Sequence, residues 1–174
     1  MTLSQPVRAT VVAPENQFSP DEQLSRWKET MGMFASGLTV ITATDEDGSM
    51  TGSTVSAFSS LSLRPRLLLI CLDKRSRTLE VVRRTGRFAI NILSNDGRDL
   101  AFRFGSKDEE KFTGVAWQPG YLGCPLLTQS CASIECWLEQ VHDGGDHEIL
   151  VGSPSQITHD RDRQPLIYHR SSFM

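Results

Sequence analysis

The stretch Leu38–Phe58 constrains the fold more than any other. Leu38–Thr44 is β-branched and alternating, Asp45–Ser49 carries an Asp47-Gly48 pair, and Thr51–Phe58 returns in the same style. Asp-Gly tolerates the positive φ angles of a tight turn, so the two runs are expected to pair as an antiparallel hairpin. Similar runs follow at Leu67–Leu72, Phe88–Leu93, Ala132–His142, Glu148–Thr158 and Leu166–His169. Leu67–Leu72 is wholly apolar, which suits a strand buried on both faces. Ser59–Pro65 reads as a polar loop, and Asp143–Asp146 as a Gly-rich turn.

Helices are expected at the edges. Ser19-Pro20-Asp21-Glu22 is a capping box with proline where no amide donor is needed. Leu24, Trp27, Met31 and Phe34 then recur at helical spacing and read as a core stripe, with Gly37 ending the helix. Ser76 opens a short helix over Arg77–Thr85, stopped by Gly86. Asn95–Phe104 reads as helical, and Ser106–Glu109 as a second capping box opening a turn to Phe112. Residues 1–18 have no period and are expected to form a flexible arm, or a strap on a partner subunit. Residues 19–174 are expected to form one domain.

The expected fold is mainly β: a closed or nearly closed antiparallel barrel with peripheral helices. Regular β-α-β alternation and the G-x-G-x-x-G phosphate turn are missing, so a dinucleotide would not be held in a Rossmann domain. A net charge of −3 offers no basic face for nucleic acid. The Arg75, Arg77, Arg83, Arg84 and Arg87 cluster is either a solvated helix face or an attractant for a phosphorylated small molecule. The longest apolar run is Leu67–Leu72, too short to span a membrane, and Met1–Val12 lacks the pattern of a signal peptide. A cytoplasmic location is therefore expected. Cys71, Cys124, Cys131 and Cys136 form no C-x-x-C pair and read as small buried hydrophobes. His142, Asp146 and His147 lack a supporting third-ligand pattern, so no metal is expected.

Three segments can carry chemistry. Thr51–Ser60 is dense in hydroxyls and small residues; composition alone favours a strand end bonded to itself, and the alternative is a set of donors offered to a flat ligand. Cys71–Thr78 runs from a strand end into Ser76 and Thr78 at a helix start beside cationic side chains. Helix N-termini bind phosphate, because free amides and the dipole point there, although Ser76 can instead simply cap the helix. Gly144–Ile149 places His147 after a tight turn, where it can contact a nicotinamide or donate near neutral pH, or stand exposed without a role.

Together these segments resemble the flavin reductase-like family, the FMN-binding split barrel, and in particular the short-chain flavin reductases of two-component monooxygenases. The matching stretches are Met31–Gly37, Met50–Gly52 through Ser60–Pro65, Cys71–Asp73, Phe88–Leu93, Lys111-Phe112 with Gly114-Val115, Gly123–Leu127, and Gly145–His147 with Val151-Gly152. The resemblance runs from Met31 to Tyr168, and the Gly-Asp-His turn is the marker of its nicotinamide-using branch.

The resemblance implies an antiparallel Greek-key split barrel, a homodimer with flavin sites near its interface, and a flavin-dependent monooxygenase as partner. It implies FMN or FAD as cofactor or co-substrate, with NADH preferred over NADPH. By similarity, Thr54, Val55, Ser56 and Ala57 line the flavin ring and ribityl chain. Ser60, Cys71 and Asp73 sit near them, and Ser76 and Thr78 lie near the phosphate. Asn91 and the Phe102–Gly105 turn, with Phe104 and Gly105, close the pocket. Gly145, Asp146 and His147 serve the nicotinamide, with His147 as the catalytic residue. Gly52, Val55 and Arg64 depart from the family's commoner residues. The rival readings are a split-barrel oxidase acting on a substrate such as pyridoxamine phosphate, a flavin-binding carrier or sensor without turnover, and a barrel used only as an interaction surface.

Overall fold

The computed structural model describes residues 18–108 and 110–174. The arm expected over residues 1–18 therefore lies, but for Phe18, outside the described residues, as does Glu109 of the second capping box.

In chain order the elements are α1 (Pro20–Gly32), β1 (Ser36–Gly37), β2 (Thr39–Thr44), β3 (Met50–Val55), β4 (Phe58–Leu63), β5 (Arg66–Asp73), α2 (Arg77–Thr85) and β6 (Arg87–Leu93). A 3-10 turn (Asn95–Gly97), α3 (Arg98–Gly105), β7 (Trp117–Pro119), β8 (Pro125–Leu127), β9 (Ser130–Gly144), β10 (His147–His159), β11 (Ile167–His169) and β12 (Ser172–Phe173) follow. Seven strands form one antiparallel sheet in the order β3-β2-β6-β9-β10-β5-β4. The small β1-β11-β12 and β7-β8 sheets pack beside it.

The hairpin forms as expected. Asp45 donates its amide to the Ser49 carbonyl at 2.8 Å, and Gly48 takes a φ of +86°. The polar loop expected over Ser59–Pro65 is instead mostly strand β4, an edge strand paired with β5 and bulged between Ser60 and Ser62. Its serines sit on a strand exposed on one side, where hydroxyls meet water without penalty. The strand over Leu67–Leu72 is not buried on both faces: Leu68, Ile70 and Leu72 enter the core, whereas Leu67, Leu69 and Cys71 are half-buried.

The ladder does not close into the expected barrel. After β3 the chain bends at Ser56-Ala57 and enters β4 at the opposite end of the strand order, so β3 and β4 remain unjoined edges. The main core lies between the sheet and α2, around Ile41, Ile70, Val82, Phe88 and Leu150. A second cluster, with Val40, Leu93, Leu100, Phe104 and Leu166, seats α3. Each such side chain contributes about 1.5–3 kcal/mol by leaving water.

Helix α1 departs most from expectation. Its capping box is present, with the Glu22 amide 3.4 Å from Ser19 Oγ and the Ser19 amide 2.8 Å from Glu22 Oε2. The helix ends at Gly32, capped by Met33, and Gly37 belongs to β1. None of its residues is buried, and Trp27 is 64% exposed. The apolar stripe is therefore not part of this chain's core, because no other element of the described chain lies over it.

Candidate functional site

Strand β3, the end of β5, the start of α2 and the segment after α3 surround a cleft of about 740 Å3. That volume falls within the roughly 300–1,000 Å3 of small-molecule sites. Thr54, Val55, Ser56, Ala57, Cys71, Asp73, Ser76, Thr78, Phe104, Gly105 and His147 all line it. Eleven expected site residues from seven elements or loops thus converge.

One wall is a chain of hydroxyls. Ser53 Oγ lies 2.9 Å from Thr78 Oγ1 and 3.2 Å from Ser76 Oγ, and Thr51 Oγ1 lies 3.0 Å from Thr78 Oγ1. Ser76 occupies the N-cap position of α2 but makes no side-chain cap bond. Its hydroxyl turns to Ser53, so no serine oxygen occupies the positive end of the helix dipole. Thr78 is buried, and its hydroxyl is spent on Thr51 and Ser53. It therefore positions Ser53 rather than presenting a free donor. Thr54 donates to the Ala101 carbonyl at 2.8 Å, which ties β3 to α3.

Charged residues of the cleft flank the hydroxyls. Asp73 accepts the Arg75 amide at 2.8 Å and grips its guanidinium in a fork, with Nη2 at 2.7 Å. Arg75, by its side chain and then its amide, holds the Asp73 carboxyl below the usual carboxylate range. Arg77 lines the cleft and reaches Ser49 Oγ at 3.2 Å. Burial raises the pKa of the Cys71 thiol above its usual value.

His147 opens β10 directly opposite Asp73 in β5, which brings the Gly-Asp-His turn to the cleft. Gly145 takes a φ of +80°, the left-handed conformation this turn requires. His147 Nδ1 lies 2.7 Å from Asp146 Oδ1, a contact that fixes the ring and lowers the Asp146 pKa. Nε2 is the ring atom left for a ligand. Asp146 also accepts the Lys74 amide through its carbonyl at 3.1 Å, and Lys74 forms an ion pair with Asp143. The turn is thereby tied to the end of β5.

Four expected site residues do not line the cleft. Ser60 is exposed on β4, beside the bulge. Gly145 and Asp146 support His147 from the exposed turn. Asn91 is fully buried elsewhere and pins three elements together. Its amide nitrogen donates to Thr42 Oγ1 at 3.1 Å and the Pro125 carbonyl at 3.3 Å, and its oxygen accepts from the Leu127 amide at 2.9 Å. Every polar atom of Asn91 is satisfied inside the fold, so it closes the core and not the pocket.

Four residues that line the cleft carried no expected site role. Ser106, Lys107 and Asp108 line the cleft just past α3. Lys111, noted only as part of the Lys111-Phe112 pair, also lines it, and burial lowers its pKa. Nothing in its spacing signals this, because its partners lie in other elements. Among the described residues no three His, Cys, Asp or Glu side chains gather as a metal site requires. No described helix is long and apolar enough to cross a membrane.

A mainly antiparallel β fold thus carries one cleft in which a wall of hydroxyls, a helix N-terminus without a side-chain cap and a tethered histidine come together, a setting able to receive a phosphorylated small molecule. The chain belongs to the family described as the flavin reductase like domain, whose model matches residues 31–174. It is 40% identical over 148 residues to the reductase subunit HsaB of a flavin-dependent monooxygenase from Rhodococcus jostii strain RHA1, covering 85% of this chain and 75% of that one. Nitrilotriacetate monooxygenase component B from Mycobacterium thermoresistibile superposes with a TM-score of 0.86 at 34% identity, over 90% of this chain and 88% of that one. The Streptomyces globisporus NADH:FAD oxidoreductase SgcE6, solved with NAD and FAD fragments, gives 0.84 at 26% identity over 91% and 96%.

Proposed function

We propose that this protein is an NAD(P)H:flavin oxidoreductase that reduces FMN or FAD with NADH and releases the reduced flavin to a separate flavin-dependent monooxygenase. One observation carries the reading: a single cleft joins a hydroxyl-rich strand, an uncapped helix N-terminus and the Gly-Asp-His turn. The family membership and the relatives' activities support it.

The residues present fit a flavin. Thr54–Ala57 and Cys71 would border the ring system, and Asp73 its ribityl hydroxyls. Ser53, Ser76 and the first amides of α2 would receive the phosphate, with Arg77 adding charge. A bound flavin supplies the electron-accepting ring to which a reduced nicotinamide passes its hydride. The chain holds the two rings together, which removes much of the entropic barrier. His147, oriented by Asp146, would face the nicotinamide through Nε2. Release of the reduced flavin calls for moderate affinity, which agrees with the cleft's open, exposed rim.

Strands β3 and β5 are far apart in the ladder yet line the same cleft, which supports reading the curled sheet as a split barrel. The exposed face of α1, with Leu24, Trp27 and Met31, supports a homodimer, because a 13-residue helix none of whose residues is buried among the described residues is marginal in water.

The test is anaerobic. The protein is mixed with NADH and excess FMN or FAD, and the flavin colour is followed, then the mixture is passed through a desalting column. Bleaching with many turnovers per protein, and reduced flavin separating from the protein, is expected. Bleaching limited to one flavin per protein would reject a diffusible product.

A further inference from the structure

We propose that Lys111 is a positioning residue that pins the Ser106–Asp108 wall of the cleft and so sets flavin affinity; the inference rests on the flavin-reductase reading above. The Lys111 ammonium donates to the Phe104 carbonyl at 2.9 Å and to the Gly52 carbonyl at 3.2 Å. Both acceptors lie at the margins of regular structure. Phe104 lies in the last turn of α3, where helix carbonyls have no intrahelical donor and the dipole is negative. Gly52 lies on β3, an edge strand with neighbours on one side only. One cation therefore ties the end of a helix to the free edge of the sheet.

The wall between these anchors has little else to hold it. Ser106, Lys107 and Asp108 are exposed and carry no helix or strand. Their described hydrogen bonds are all local: Ser106 donates its amide and its Oγ to the Arg103 carbonyl at 3.2 Å and 2.8 Å, the Asp108 amide donates to Ser106 Oγ at 3.1 Å, and Asp108 Oδ1 accepts the Glu110 amide at 3.0 Å. Phe112, next to Lys111, packs edge-on to Phe104 with centroids 5.0 Å apart. Phe104 in turn lies close against Gly52, since a Cβ added there would sit 2.7 Å from its ring. Lys111 and Phe112 thus return the chain to the point from which it left α3. Lys111 is half-buried, so its hydrogen bonds are shielded from water. Without the ammonium, two carbonyls lose their donor, and the far end of the wall keeps only the Phe104–Phe112 contact and the Arg103 hydrogen bond to the Thr113 carbonyl.

The test compares Lys111→Met, which keeps the apolar stem, with Lys111→Arg, which keeps the charge and donors. Flavin Kd is read by quenching of flavin fluorescence, alongside the KM values for flavin and NADH. Lys111→Met is expected to weaken flavin binding and raise flavin KM on the order of tenfold, the scale of one lost charged hydrogen bond. The NADH KM is expected to stay within error, and Lys111→Arg to recover most of the flavin affinity. Should Lys111→Met fail to fold, Lys111→Gln carries the same comparison. Flavin Kd unchanged in the neutral variant, or both KM values rising together with no recovery in Lys111→Arg, would overturn the proposal. A wild-type protein that binds flavin but never oxidises NADH would defeat the reductase reading instead, and leave the Kd comparison intact.

Discussion

Gly52→Ala tests how tightly the cleft floor is built. A Cβ at this position would lie 2.7 Å and 2.8 Å from two ring carbons of Phe104 and 3.2 Å from the Ile41 carbonyl. Phe104 is only 1% exposed and is braced by Phe112, so its ring has nowhere to swing. Replacing glycine by alanine at a compatible site would stabilise by about 0.4–1 kcal/mol through the unfolded chain. Overpacking a tight core costs about 1–3 kcal/mol, and the sub-3 Å contact makes that the larger effect. For a chain of this size about 1 kcal/mol corresponds to roughly 2–4 °C, so a loss of roughly 2–12 °C in Tm is expected. Thermal unfolding followed by circular dichroism at one protein concentration measures it. In a Phe104→Leu background the same substitution should cost clearly less, because the clashing edge is gone. A Gly52→Ala protein as stable as wild type would refute this packing argument.

Three further outcomes follow from the geometry. His147→Ala is expected to raise the NADH KM on the order of tenfold, the loss of one good hydrogen bond, with flavin Kd unchanged; equal kinetics at limiting NADH would remove His147 from the site. The folded pKa of Asp73 is lowered by Arg75, so its contribution is complete above the unfolded value of about 3.9 and is lost as pH falls from there through the folded value. Asp73→Asn should therefore lower Tm at neutral pH by a margin that shrinks below about pH 4, and a margin constant with pH would count against the fork. On the proposed homodimer, Trp27→Asp places a charge on the exposed face of α1 and is expected to turn a dimeric wild type into monomers in sedimentation; a monomeric wild type would reject the dimer, and a variant that stays dimeric would reject α1 as its interface.

What could be read from the sequence was local. The Asp47-Gly48 hairpin, the Ser19–Glu22 capping box and the stop at Gly86 each depend on a few adjacent residues, and each forms. What depends on distant partners was not legible. Ser59–Ser62 has the composition of a loop, and only pairing with β5 makes it a strand. The α1 stripe showed that one face is apolar, but periodicity does not say what covers it. Asn91 lies in a strand whose composition is silent about which way the side chain points, and it turned inward. The three site segments were visible one by one, and Thr54, Asp73, Ser76 and His147 do meet at one cleft. Lys111 was not visible as a clamp, because its acceptors are backbone carbonyls, which leave no trace in the sequence.

NADH consumption under air with purified protein, before and after adding FMN or FAD, decides whether the protein is a flavin reductase. Negligible consumption is expected without flavin, then sustained consumption that rises and saturates with flavin concentration, far beyond one NADH per protein. Flavin that binds, quenches and never supports NADH oxidation would contradict the reductase reading and leave a flavin carrier or sensor.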